Sequence, residues 1–127
     1  MTKSEFEIRT KEISERLEAI KCEIPKNVKL IVVTKTFPVS DIEILYKLGV
    51  RDFGENRDEE GSVKSEKIER DAIWHFQGRI QGKKIKSLVN WSDFIHSLDS
   101  KEHARKISDC ARNVGKVPNI FIQINLD

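Results

Sequence analysis

This sequence lacks any long hydrophobic stretch. No apolar run approaches the roughly 20 residues needed to span a bilayer, so no membrane partner is expected. The opening Met1-Thr2-Lys3-Ser4-Glu5 leads straight into a charged amphipathic pattern, with no apolar segment of the signal-peptide kind. Cysteine is scarce. Cys22 and Cys110 lie far apart and form no CxxC pair, which argues against a disulfide framework and for free thiols in a reducing cytoplasm. Charge of one sign is not in excess either: 23 Lys and Arg stand against 21 Asp and Glu, a net +2 that calls for no nucleic acid. No GxGxxG or Gly-x-Ser-x-Gly occurs, so neither a dinucleotide fold nor a serine nucleophile is signalled. His75, His96 and His103 have no ligand spacing and no cysteine beside them, so no metal is expected. With no low-complexity segment and no linker, residues 1–127 are read as one α/β domain.

What is present is a regular alternation. Residues 4–22 have helical spacing, with Phe6, Ile13, Leu17 and Ile20 on one side and a Ser4/Glu7 capping box at the start. Leu30–Thr34 reads as a first strand, broken by Phe37-Pro38. Ser40 and Glu43 suggest a second capped helix, closed by Gly49. Val50–Gly54 is a second strand. A polar helix from Arg57 to Arg70 follows, with Asp58, Glu59 and Glu60 at its positive end and Gly61 weakening it. Ile73–Gln77 is a third strand, Lys83–Asn90 a short helix and Asp93–Leu98 a fourth strand. Asp99 and Glu102 open a helix with the stripe Ala104, Ile107, Ala111 and Val114, closed by Gly115. Pro118 opens a fifth strand, Asn119–Asn125.

Five strands alternating with helices mean βα units and a parallel sheet. Two architectures fit: a doubly wound five-stranded sheet, or the first part of a TIM-type (β/α)8 barrel, incomplete at this length. The chain stops just after a strand that is apolar on both faces (Ile120, Phe121, Ile122, Ile124), which leans toward the second.

Lys35, at the end of Ile31-Val32-Val33-Thr34, is the residue with the most chemistry in prospect. It is either a side chain that snorkels from the sheet edge or a partly desolvated amine able to attack a carbonyl. Gly78-x-x-x-Gly82-Lys83 resembles a P-loop but has three residues between its glycines and Lys84 where Ser or Thr is needed, so it is read as a turn. The basic run Arg79, Lys83, Lys84, Lys86 is a solvated face or an anion contact. Asn56 either caps the following helix or faces a ligand, and His75 and His96 are hydrogen-bonded structural histidines or ligand contacts. In a parallel sheet Lys35, Asn56 and the Gln77–Arg79 turn share the carboxyl ends of the strands, where α/β folds bind ligands.

Val33-Thr34-Lys35-Thr36, Phe53-Gly54-Glu55-Asn56, Trp74-His75-Phe76-Gln77-Gly78 and Ile95-His96-Ser97-Leu98-Asp99 occur together in the order and spacing of the pyridoxal phosphate homeostasis proteins, the YggS/PROSC-like family. The chain resembles that family, whose fold is similar to the barrel domain of alanine racemase. The resemblance implies a (β/α)8 barrel holding pyridoxal 5′-phosphate as a Schiff base on Lys35, with Asn56 near the cofactor ring and His75 in the adjoining strand. It implies buffering or delivery of the cofactor, with apo pyridoxal-phosphate enzymes as recipients and no established catalysis. Two departures stand out. Lys83-Lys84 replaces the family's Asn-Lys pair, and the chain has about half the family's length, as a truncated form would. The remaining half is expected to carry the phosphate cradle and the arginine facing the pyridine nitrogen. The alternatives are a racemase-like enzyme, which needs an acid or base on each side of the substrate, and a cofactor-free α/β binding module.

Overall fold

The computed structural model describes residues 1–126, so Asp127, the last residue of the expected 1–127 domain, lies outside the described residues. Helix α1 (Lys3–Glu23) comes first, followed by β1 (Val32–Val33), α2 (Val39–Lys47), β2 (Asp52–Glu55), α3 (Asp58–Lys67) and β3 (Ile73–Phe76). A 3-10 turn at Gly82–Lys84 then runs into α4 (Ile85–Trp91), β4 (Phe94–Leu98), α5 (Lys101–Asn113) and β5 (Asn119–Ile122).

The five strands form one sheet in the order β1-β2-β3-β4-β5, and every neighbouring pair is parallel. That order decides between the two architectures. A doubly wound sheet reverses direction at a switch point. Here each strand is added on the same side as the last, as in a barrel wall. β1 and β5 are edges, each paired on one side only. This explains why β1 is shorter than the expected Leu30–Thr34: ladder pairing exists only where Val32 meets Phe53 and Val33 meets Gly54. Likewise β5 ends at Ile122 rather than Asn125.

The two faces of the sheet differ. Phe53, Trp74, Phe76 and Ile95 point toward α2–α5 and join Ile42, Ile85, Leu88 and Trp91 in the buried core. The aromatic contacts are specific: Phe53–Trp74 centroids are 5.3 Å apart and Trp74 meets Trp91 edge-on at 6.4 Å. Gly61 has its reason here. A methyl group at that position would run into the Trp91 ring, so the residue that weakens α3 lets it lie close on α4. The opposite face carries Asp52, His75, Phe94, His96 and Phe121, with no helix over it among the elements described.

Several helix starts differ from the sequence expectation by one or two residues. Thr2, not Ser4, caps α1, its hydroxyl accepting from Glu5 N–H at 3.0 Å. Ser100, not Asp99, caps α5 by accepting from His103 N–H. α2 starts after Pro38 with no side-chain cap, so Ser40 lies inside the helix. Adjacent Ser, Thr and Asp are all competent caps, and the backbone path chooses among them. Gly49 and Gly115 do close their helices, at φ +99° and +66°. Ile20 and Val114 are exposed rather than packed. Ile13 and Leu17 of the expected stripe are buried in the core, and α1 is also tied to α2 by Arg9, which donates to both oxygens of the buried Asp41 carboxylate at 3.1 and 2.8 Å. That partnership pushes the Arg9 pKa up.

Candidate functional site

Lys35 sits at the carboxyl end of β1, at the start of a tight turn. Phe37 N–H donates to Thr34 C=O at 3.1 Å to close that turn. Thr36 is held at φ +68°. A β-branched residue in this region costs on the order of 1–3 kcal/mol and persists only where its surroundings over-determine it.

The surroundings are a charged cluster, buried at Lys64 and Glu55 and partly exposed at Glu60. Lys64 of α3 is 5 % exposed. Its Nζ donates to Thr34 C=O at 2.8 Å, to both Glu55 carboxylate oxygens at 3.2 and 3.1 Å, and to Glu60 Oε2 at 2.6 Å. Glu60 Oε2 also accepts from Thr36 N–H at 2.6 Å. The Thr34 hydroxyl donates to Glu55 Oε2. Burial pushes the Glu55 carboxyl up, against the hydrogen bonds from Thr34 and Lys64 that pull it down. For Glu60 burial pulls upward too, but the bonds from Lys64 and Thr36 N–H win and its carboxyl lies below the usual range. The ammonium of Lys64 is thus committed to four acceptor atoms.

Lys35 itself is exposed. Of its two readings, the desolvated amine is not what these residues build. β1 has an open edge, so nothing in the sheet flanks Lys35 on that side. A 320 Å³ apolar cleft runs beneath α1 and is lined by its neighbours Thr34 and Phe37, with Ile13, Leu17 and Leu30. Lys35 is not among the residues lining it.

Asn56 follows β2 directly and is half-buried. Its carbonyl lies so close to Gly78 that any side chain there would collide with it. The ends of β2 and β3 therefore meet backbone to backbone. A side chain at Gly54 would strike the Gln77 amide oxygen at 2.6 Å. A polar cleft of 220 Å³ opens beside Asn56, lined by Arg57, Asp58, Glu59, Arg79, Gln81 and Lys84 among others. Of the basic run, Arg79 and Lys84 reach this cleft, and Lys84 is paired with Glu59.

His75 is 2 % exposed and has both ring nitrogens engaged. Nε2 lies 2.8 Å from Asp52 Oδ2 and Nδ1 lies 2.8 Å from His96 Nε2. One proton order satisfies the chain: His75 Nε2–H donates to the Asp52 carboxylate, and His96 Nε2–H donates to His75 Nδ1. Lys29 Nζ pairs with the same Asp52 oxygen at 3.6 Å. Burial first, and then the neighbouring His75, lower the His96 pKa below its ordinary 6.5. His75 stacks on Phe94 at 4.5 Å between ring centroids. Among the described residues no group of three His, Cys, Asp or Glu side chains is placed to hold a metal. Lys35 and Asn56 thus stand at the mouth, whereas His75 lies deeper, bonded within the sheet wall.

Sequence reasoning missed Glu55, Glu60, Lys64 and Asp52. The one available signal was the Glu60–Lys64 spacing of four residues, a helix-face pair. Nothing in it announces burial.

A partly wound parallel barrel wall with a lysine at the mouth of its first strand defines a class, the barrel domains that bind ligands at the carboxyl ends of their strands. The model of the alanine racemase N-terminal domain family matches residues 8–127, and the chain belongs to that family. It is 39 % identical over 105 residues to a pyridoxal phosphate homeostasis protein of Synechocystis, covering 81 % of this chain and 48 % of that one. It is 37 % identical over 109 residues to a Corynebacterium glutamicum protein of the same name, covering 80 % and 48 %. The chain spans about half the length of the curated relatives it matches. PipY of Synechococcus elongatus, solved with pyridoxal phosphate bound, superposes with a TM-score of 0.85 at 35 % identity, over 91 % of this chain and 55 % of PipY. The structure of PipY without the cofactor superposes at 0.87.

Proposed function

We propose that residues 1–127 act as one α/β unit that supplies the amine-bearing wall of a pyridoxal phosphate site in intracellular cofactor homeostasis. Lys35 holds the cofactor as a Schiff base, Asn56 borders the ring, and His75 stiffens the wall behind it through Asp52 and His96. The recipients would be apo enzymes that use the same cofactor. Two free cysteines agree with a cytoplasmic setting, and no helix among the described residues is long and apolar enough to cross a membrane.

The observation that carries this reading is the position of Lys35: an uncommitted amine at the strand mouth of a wall that superposes on cofactor-bound PipY. The residues fit the aldehyde end of the group. The exposed Lys35 follows β1 and the half-buried Asn56 follows the neighbouring β2, where Gly54 makes room for the Gln77 amide and Gly78 for the Asn56 carbonyl. When bound, the cofactor supplies an aldehyde carbon and an electron-accepting ring. The Lys35 nitrogen bonds to that carbon, and the displaced oxygen leaves as water with both amine protons. With no phosphate cradle assigned among these residues, this chain alone is expected to bind weakly. Titration with pyridoxal phosphate, followed by the visible absorbance of lysine-linked cofactor, should give a weak band that Lys35→Ala abolishes. At saturating cofactor, no difference between the chain and Lys35→Ala would sink the proposal.

A further inference from the structure

We infer that Glu60, Lys64 and Glu55 are positioning residues that clamp the backbone on both sides of Lys35 and so fix where its amine points. The inference rests on the function proposed above and deepens it.

The geometry is specific to this one residue. On the amino side of Lys35, the Thr34 carbonyl accepts from Lys64 Nζ at 2.8 Å, and the Thr34 hydroxyl is held by Glu55. On the carboxyl side, Thr36 N–H donates to Glu60 at 2.6 Å. Glu60 and Glu55 are joined through the shared ammonium of Lys64. Both peptide planes of Lys35 are thereby tied to one charged cluster rooted in α3 and β2, buried at Lys64 and Glu55 and partly exposed at Glu60. The tie also holds Thr36 at its positive φ, a conformation threonine does not adopt unaided. Lys35 gains a fixed base from which a flexible four-carbon stem extends, and a fixed base raises the fraction of time an amine spends in reacting geometry. An ordinary buried ion pair holding α3 to the sheet would not need a bond to a backbone N–H two residues further along the turn.

The test uses Glu60→Ala and Glu60→Gln in the full chain, because Gln keeps an oxygen for Thr36 N–H. Each protein is treated with pyridoxal phosphate, reduced with borohydride and mapped by peptide mass spectrometry. The adduct at Lys35 should fall about fivefold or more in Glu60→Ala, be largely restored in Glu60→Gln, and stay unchanged at the exposed Lys3. Amide exchange gives a second reading that needs no variant to fold. In the unsubstituted chain Thr36 N–H should exchange at least about tenfold slower than an unstructured amide of the same sequence. Undiminished Lys35 adduct in Glu60→Ala, or an unprotected Thr36 amide, overturns the clamp and leaves the proposed function standing. Absence of any Lys35 adduct in the unsubstituted chain overturns the proposed function and the clamp's role with it.

Discussion

On the helix-covered face of the sheet, Phe53, Trp74, Phe76 and Ile95 are all at 4 % exposure or less. On the other face Phe121 is 52 % exposed and Val33 45 %. The first set lies in the central strands β2, β3 and β4, whereas Phe121 and Val33 lie in the edge strands β5 and β1. What separates them is helix cover over the first set and an open sheet edge beside the second; in the central strand β3, His75 is 2 % exposed even on the open face. Four helices close one face, while the other is held by lateral bonds along the sheet: Lys29 to Asp52, Asp52 to His75, His75 to His96, and aromatic stacking from Phe94 to Phe121. The charged groups follow the same division. Behind the sheet, Glu55 and Lys64 are dry and fully partnered, as burial demands. At its mouth Lys35 is in water.

The difference can be broken from either side. The largest effect is expected at Phe53, which is fully buried: Phe53→Ala should cost about 3–5 kcal/mol of unfolding free energy in urea titration. Gly61→Ala comes next. Helix propensity alone would favour the alanine by about 1 kcal/mol, yet the collision with Trp91 predicts a net loss of about 1–3 kcal/mol. A gain would mean that α3 and α4 are not in close contact.

On the open face the expected effects are smaller. His96 has a folded pKa below its ordinary 6.5, so the folded state binds its proton less readily than the unfolded state. The associated stability is present above that value and is lost as pH falls through the lowered folded pKa. Urea midpoints at pH about 7.5 and about 5.5 should show this loss, and His96→Gln should shrink the difference. The smallest change belongs to Phe121, where Phe121→Ala should shift stability by no more than about 0.5 kcal/mol. A loss as large as that at Phe53 would show that the two faces are equally dry.

The alternation of strands and helices was legible because apolar periodicity is local, and it located all five strands and the carboxyl-end face on which Lys35 and Asn56 lie. The order of the strands was not. A βα repeat reads the same whether the next strand is added to the left or the right; the apolar fifth strand leaned toward the barrel, the family resemblance implied it, and the strand order β1-β2-β3-β4-β5 bears it out. Lys64 was hidden for a related reason. In sequence it belongs to the polar run Asp58–Lys67, and only the packing of α3 over β2 buries it against Glu55. Of the two readings of Lys35, the desolvated amine failed on the same ground, and the exposed side chain at the sheet edge is what stands: an apolar run before a lysine says where the residue sits along a strand, not what covers it.

The most direct measurement is a map of where pyridoxal phosphate becomes fixed when the unsubstituted chain is reduced with borohydride in its presence. Lys35 should be the preferred site, ahead of exposed lysines on the helices such as Lys3 and Lys47. A label spread evenly over the surface lysines, with Lys35 no more modified than the rest, would contradict it.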